Sequence, residues 1–287
     1  MTPEPSTPFP NPFFTIVIPT LNEEKHLPLL LKDLTQQTYK NFQVIVVDSQ
    51  SEDQTIKMVS KYINKLPLTI KQTPIRNVSH QRNLGAKSSQ SPYLVFFDAD
   101  TKIPPEYLKS IAQYLTFNPV DVLTTWIDDS QAQLKSKITA VAINSLLELL
   151  KYIYPSAWGS HLIIKSSTFK NSGGFEPQIT LTHDSDLVRK IIKSHGNFSI
   201  LKTPKASFSF RRFERDGYTK ASFYMLLIFF HNLINNSKNT PYLPYPMGGT
   251  ADKAHFIHPY LNNLHHQFLT LTQKTINKVN QYLQYPN

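Results

Sequence analysis

Residues 93–101 read YLVFFDADT. The apolar run Tyr93 to Phe97 gives way at once to Asp98, Ala99 and Asp100. A run this short and this apolar reads as a buried strand, which leaves the Asp-x-Asp on the turn beyond it. The same punctuation recurs upstream. Phe13 to Ile18 is an apolar run closed by Pro19 and followed by Thr20, Asn22 and Glu23. Phe42 to Val47 is rich in β-branched residues and ends on Asp48, with Ser49 and Ser51 after it. Helical spacing follows each run. Leu27, Leu30, Leu31 and Leu34 come after the first, and Ile56, Val59 and Ile63 after the second. Ser51 and Gln54 have capping-box spacing ahead of that second helix. Strands that alternate with amphipathic helices predict an α/β fold, a mainly parallel sheet with right-handed crossovers, flanked by helices.

The rest of the chain extends this pattern. Leu66 to Gln72, Val120 to Ile127, Leu162 to Ile164 and Phe198 to Leu201 read as further strands. Helices are expected at 79–89, 105–117, 133–153 and 184–194. The helix over 133–153 places Ile138, Val141, Ala142, Ser145, Leu146 and Leu149 on one side. Residues 1–12 carry five prolines and read as an extended tail. Residues 13–215 form the α/β domain, and residues 216–287 read as a helical, basic extension.

Composition narrows the chemistry. The 287 residues are 40% hydrophobic, enough for a core, and only 17% charged. Cysteine is absent, which excludes disulfides, thiolate metal sites and cysteine nucleophiles. The net charge is +10, and from Ile200 onward there are ten Lys/Arg against three Asp/Glu. That excess suits an anionic partner such as a phosphorylated ligand or an acidic membrane surface. No recognisable reading helix, zinc finger or RNA-recognition signature accompanies it, so nucleic acid is not the expected partner. The longest apolar run, Ala221 to Ile234, is shorter than the ~20 residues that span a bilayer. It can pack in the core or lie in a membrane interface beside basic residues. A cytoplasmic protein is expected, with peripheral contact at the inner face of the membrane as one option.

In an open α/β sheet, ligands bind beyond the carboxyl ends of the strands. Thr20, Glu23, Asp48, Asp98 and Asp100 all fall there. Two carboxylates two residues apart on a turn can approach one hard divalent ion, here Mn²⁺ or Mg²⁺, and such an ion can neutralise a diphosphate. The glycine-rich dinucleotide and P-loop motifs are both missing, which argues against nicotinamide and P-loop chemistry.

Five ordered stretches then carry a family resemblance: FTIVIPTLNEE (14–24), VIVVDSQSEDQT (44–55), QRNLGA (81–86), YLVFFDADT (93–101), and GGF (173–175) with HDSDLVRKIIKSHG (183–196). Together they resemble the family 2 glycosyltransferases of the GT-A fold, over roughly residues 13–215. The resemblance implies a metal-dependent, inverting transfer of one sugar from a nucleoside-diphosphate sugar, most often a uridine one, to an acceptor hydroxyl, lipid-linked or part of a cell-envelope glycan. It implies that Thr20, Glu23, Asp48, Arg82 and Asp98 bind the nucleotide sugar. Asp98 and Asp100 would hold the metal, and Asp184 would be the base. Asp186 is the competing carboxylate, read instead as a first-turn helix residue. Trp158 and His161 fall where the family shapes its acceptor pocket. Arg211 and Arg212 suit phosphate on the donor or the acceptor. Asp53 either positions the loop after Asp48 or serves as a helix-start carboxylate. The chain departs from the family pattern at Gln50, where glycine is common, at Ser89 and Ser91, and at His183, which stands in place of a glutamate.

Two rival readings remain at this level. A nucleotidyltransferase shares the sheet and the metal-bound diphosphate, but its first turn is usually glycine-rich and basic. Here that turn is the acidic PTLNEE. A non-catalytic sugar-nucleotide-binding module is the other.

Overall fold

The computed structural model describes residues 11–128, 134–157, 160–179 and 182–207. Trp158, Arg211, Arg212 and the apolar run 221–234 lie outside the described residues, as do residues 1–10 and the extension 216–287. In chain order the elements are β1 (Phe14–Thr20), α1 (Leu27–Thr35), β2 (Phe42–Asp48), α2 (Thr55–Ser60), β3 (Leu68–Gln72), α3 (Val78–Lys87) and β4 (Tyr93–Phe97). They continue with α4 (Tyr107–Phe117), β5 (Val122–Ile127), α5 (Leu134–Leu150), β6 (His161–Lys165), α6 (Ser166–Ser172), α7 (His183–Lys193) and β7 (Phe198–Ala206).

The strands form one sheet in the order β3-β2-β1-β4-β6-β5-β7. β1, β2, β3 and β4 run parallel, and β6 is antiparallel to both of its neighbours. β5 therefore points the same way as β4, and β7 runs parallel to β5. The chain builds outward from β1 to β2 and β3, then returns to place β4 on β1's other side. That reversal opens the crevice where such sheets bind ligands. Pro19 sits past the last β1 residue paired with β4, where a missing N–H costs the sheet little.

Alternation along the strands supplies two cores. Phe14, Ile16 and Ile18 pack with the leucines of α1 and with Tyr107, Leu108 and Ile111 of α4. Val17, Val47 and Phe96 face the other way, onto Ala86 of α3, Phe169 of α6 and Leu187, Val188 and Ile191 of α7. Ser89 and Ser91, which depart from the family pattern, close a hydroxyl chain on β1: each lies 2.7 Å from Thr15 Oγ1.

One local expectation changes, and the structure adds two features that the sequence leaves open. The capping box at Ser51 and Gln54 does not form. α2 starts at Thr55 with no side-chain cap from Gln54, and the Ser51 hydroxyl is drawn back to Asp48 instead. The short helix α6 was not legible in a mixed polar run. The second such feature is the direction of the apolar side of α5, which faces outward: Leu134, Ile138, Val141 and Leu149 are exposed. Ser136, Ala140 and Asn144 face the protein in their place. The cause is a register shift between Thr125 and Ile127 where β5 meets β7. There Asn144 accepts from the Ile127 N–H at 2.9 Å and donates to the Ile127 carbonyl at 3.1 Å. Buried backbone groups must be paired, so the helix turns its amide inward.

Candidate active site

The site is assembled from the turns at the carboxyl ends of β1, β2 and β4, with α3 and α7 closing one side. Gln81 fixes α3 first. Its side-chain amide donates to the carbonyls of Thr20 (2.9 Å) and Val47 (2.6 Å), which locks the start of the helix to the ends of β1 and β2. Gly85, one turn on, lets α3 lie directly on the sheet. A Cβ there would stand 2.4 Å from Val17 Cγ1, closer than any side-chain contact allows. Asn83 fixes the helix from outside. Its amide donates to the Phe175 carbonyl at 2.8 Å and accepts from the Phe175 N–H at 2.9 Å. The QRNLGA and GGF stretches, 92 residues apart, are thus two halves of one joint.

Arg82 is held between these anchors and is 1% exposed. Its guanidinium forks to two carboxylates: Nη2 donates to Asp98 at 2.7 Å, and Nη1 to Asp184 at 2.5 Å. The planar fork suits this bridging, which a lysine could not copy. Nη1 also lies 2.9 Å from His183 Nε2. A guanidinium only donates, so Nε2 accepts and the ring is neutral. His183 therefore does not replace the family's glutamate with a positive charge. Its Nε2 and the Asp184 carboxylate, 3.3 Å apart, are both acceptors served by the same arginine. Phe175 supports the cluster from below, with its ring centroid 5.2 Å from the Arg82 guanidinium carbon.

Burial of the Asp98 carboxyl pushes its pKa above the ordinary value. Arg82 pulls it back, while Asp100 and Asp184 push it further up. Arg82 is the reverse case. Burial works against its charge, but Asp184 and Asp98 outweigh that and its pKa is raised. Desolvated carboxylates crowded at one strand end favour a cation beside them. Among the described residues no group of three or more His, Asp and Glu could hold a metal unaided. Asp98 and Asp100 nonetheless fit a hard divalent ion, which commonly takes one or two carboxylates and completes its shell with substrate phosphate and water.

The ledge beside this cluster is knit from two turns. Ser51 Oγ accepts from the Asn22 N–H, and Asn22 Oδ1 accepts from the Glu52 N–H. Asp53 accepts from the Glu24 N–H, which ties the two loops together, and from the Thr55 N–H at the start of α2, so both of its expected roles are present in the geometry. Gln50, where the family has glycine, adopts φ +58, so it takes the glycine-type conformation despite its side chain. Thr20 Oγ1 is buried and has no hydrogen-bond partner among the described residues. Glu23 is buried beside it, with its N–H donating to Thr55 Oγ1. Asp48 is fully buried, and its oxygens accept from the Ser51 N–H and hydroxyl.

Thr20, Glu23, Asp48, Arg82, Asp98, Asp100 and Asp184 thus share one edge of the sheet. Asp186 pairs along its own helix, 3.9 Å from Arg189, and not with Arg82. His161 lies close enough to Asp184 to feel its charge, but it presents no exposed face. It is fully buried on β6, with Nε2 2.8 Å from the Thr125 carbonyl and Nδ1 2.9 Å from Ser160 Oγ. Both ring nitrogens are used, and burial pushes its pKa down to about 4. The sequence reading missed the joints made by Gln81 and Asn83. Both residues fall in the QRNLGA stretch on either side of Arg82, but nothing in that stretch marks the distant carbonyls and N–H that they bind.

A family model described as Glycosyl transferase family 2 matches residues 15–170. That is more than half of the chain, and the chain belongs to this family. TarS of Staphylococcus aureus, a poly(ribitol-phosphate) beta-N-acetylglucosaminyltransferase, is 37% identical over 114 residues, covering 38% of this chain and 20% of TarS. GgaB of Bacillus subtilis, a minor teichoic acid biosynthesis protein, is 23% identical over 209 residues, covering 69% of this chain and 23% of GgaB. The matched part is therefore less than a quarter of either relative. Among solved structures, TarS 1–349 with UDP-GlcNAc superposes with a TM-score of 0.56 at 24% identity, covering 67% of this chain and 57% of that one. The mannosyltransferase PcManGT from Pyrobaculum calidifontis, with GDP-Man and Mn²⁺, gives 0.62 at 19% identity, covering 83% and 68%. These likenesses establish the GT-A fold.

Proposed function

We propose that the protein transfers a single sugar from a nucleoside-diphosphate sugar to an acceptor hydroxyl, with inversion at the anomeric carbon. The observation that carries this reading is the Arg82 fork, which draws Asp98 from β4 and Asp184 from α7 into one cluster at the switch point of the sheet. The nucleotide would lie over the ledge of Thr20 and Glu23, where the buried Thr20 Oγ1 has no hydrogen-bond partner among the described residues. Asp184 takes the proton of the acceptor hydroxyl as that oxygen bonds to the anomeric carbon. The bond from that carbon to the diphosphate breaks, and its electron pair leaves with the diphosphate. A single displacement of this kind needs one base and no covalent intermediate. Asp98 and Asp100 would hold Mn²⁺ or Mg²⁺, which when bound neutralises charge on the diphosphate. The Mn²⁺ present with PcManGT supports this cofactor.

The nucleotide sugars present with TarS and PcManGT support a donor of the same class. A uridine diphosphate sugar is the first to test. The relatives' names support a cell-envelope polymer or its precursor as acceptor. The acidic turn after β1 disfavours the nucleotidyltransferase alternative, and the Asp184 carboxylate beside Arg82 and Asp98 supports an enzyme over a mere binding module.

The test is a thermal-shift panel of nucleoside diphosphates and their sugars with and without Mn²⁺, followed by turnover. A ligand of the folded state must raise apparent stability. Asp184→Asn should retain the shift and lose transfer by at least about 10²-fold, the low end of what general-base catalysis contributes. Near-normal turnover by that variant would reject Asp184 as the base.

A further inference from the structure

α5 is anchored by its polar side. Besides the Asn144 pair, Glu148 accepts from Trp126 Nε1 at 3.3 Å. The side turned away from Ser136, Ala140 and Asn144, which Glu148 flanks, exposes Leu134 (73%), Ile138 (62%), Val141 (54%) and Leu149 (74%), and the turn after the helix adds Tyr152 (87%) and Ile153 (75%). These residues follow one side of a 17-residue helix, about 25 Å long, with the exposed Ser145 set between Val141 and Leu149. Contiguous apolar patches beyond about 300–600 Å² are uncommon on monomers and mark interaction sites.

The rim of the row is basic. Lys137 is exposed on the helix itself. Lys202 and Lys205 of β7 stand 5.3 and 5.9 Å from the ring centroid of Trp126, and Lys151 lies 5.1 Å from that of Tyr152. Among the described residues the acidic ones nearby are Glu148, paired with Lys151, and Asp128 at the end of β5. An apolar row edged by lysines and aromatic rings is the pattern of a helix lying in a lipid interface. A two-fold contact between copies would instead bring the lysine rims of both together, at an electrostatic cost. Among the described residues no helix is long and apolar enough to cross a membrane. A helix held flat to the protein by Asn144 and Glu148 has no need to cross one.

We propose that the outer face of α5 docks on an anionic lipid bilayer, its apolar row in the interface and Lys137 and Lys202 against the headgroups. α5 starts beyond the carboxyl end of β5, on the edge of the sheet that also carries Asp98, so the bilayer lies beside the site. The inference does not depend on the transferase reading.

Because the chain has no cysteine, single positions can be labelled. An environment-sensitive dye at Ile138→Cys, with Lys57→Cys on α2 as control, is read with and without vesicles. Phosphatidylglycerol–phosphatidylcholine vesicles should shift the emission of the first to the blue and leave the second unchanged, and phosphatidylcholine alone should move neither. In flotation with the same vesicles, Ile138→Asp with Leu149→Asp should reduce bound protein by about tenfold or more. Their unfolding midpoint should be unchanged, since both side chains are exposed. Three outcomes would overturn the proposal. The dye at 138 could already be shielded without vesicles, because another segment or a second copy covers α5. The double variant could bind as well as the parent, which would assign binding to another part of the chain. Or the parent could fail to float.

Discussion

Replacing Arg82 with methionine tests the site and the fold together. Methionine fills much of the same space but carries no charge, so Asp98 and Asp184 lose their shared cation. Breaking a buried ion pair costs about 3–5 kcal/mol, because the remaining charge is left desolvated. Asp98 is 42% exposed and Asp184 16%, so water screens part of the loss and the low end applies, about 3 kcal/mol. That is a large share of the ~5–15 kcal/mol that holds a typical domain together. The pH dependence fixes the cause. The Asp98 carboxyl already sits above its ordinary range in the folded protein, with Arg82 pulling it down. Without Arg82 it rises further, so the folded state takes up a proton more readily than the unfolded chain. Stability from that proton is present at low pH and lost as pH rises through the folded value. The deficit of the variant should therefore be largest at pH 8 and shrink toward pH 5. Urea unfolding at both pH values measures it, with Arg82→Lys keeping the charge but not the fork. A deficit below about 1 kcal/mol at pH 8, or one that grows on acidification, would refute the reasoning.

His161 makes a second, opposite signature. Its folded pKa is about 4 against an ordinary value near 6.5, so the unfolded chain takes the proton first as pH falls. Stability should drop between pH 6.5 and 4 by about 3 kcal/mol from this group, and His161→Gln should flatten that part of the urea-midpoint profile. An unchanged profile would show that the ring is not held neutral. Gly85→Ala should destabilise by about 1–3 kcal/mol, because its Cβ meets Val17 and α3 must lift from the sheet. Val17→Ala in the same chain should recover part of that loss, and strict additivity in thermal unfolding would contradict the close approach.

The order of the strands shows how far local pattern reaches. β1, β2 and β4 were legible because apolar runs ended on polar residues, and burial on both faces leaves no other reading of such runs. The antiparallel setting of β6 was not, because His161 to Lys165 carry no mark of direction. The acidic residues of the edge were legible for the same reason as the strands. What those residues do to one another was not. Arg82 sits in a polar helix, and its partners lie 16 and 102 residues away. Only the joint of Asn83 with Phe175 and the pinning by Gln81 bring them within reach.

Residue type also misled where burial decided. A histidine before a short strand suggested a ligand contact, yet the sheet enclosed His161 and satisfied both of its nitrogens. The apolar spacing of α5 fixed a helix with one apolar side but not which way that side faces. The amino-acid sequence by itself determined the elements, their mainly parallel assembly and the polar edge, since these follow from periodicities of two and 3.6 residues. Tertiary structure alone decided that Arg82 bridges Asp98 and Asp184, that His183 stays neutral, and that α5 turns its polar side inward. Each of these depends on which distant donor or acceptor is left to be satisfied once the chain has closed.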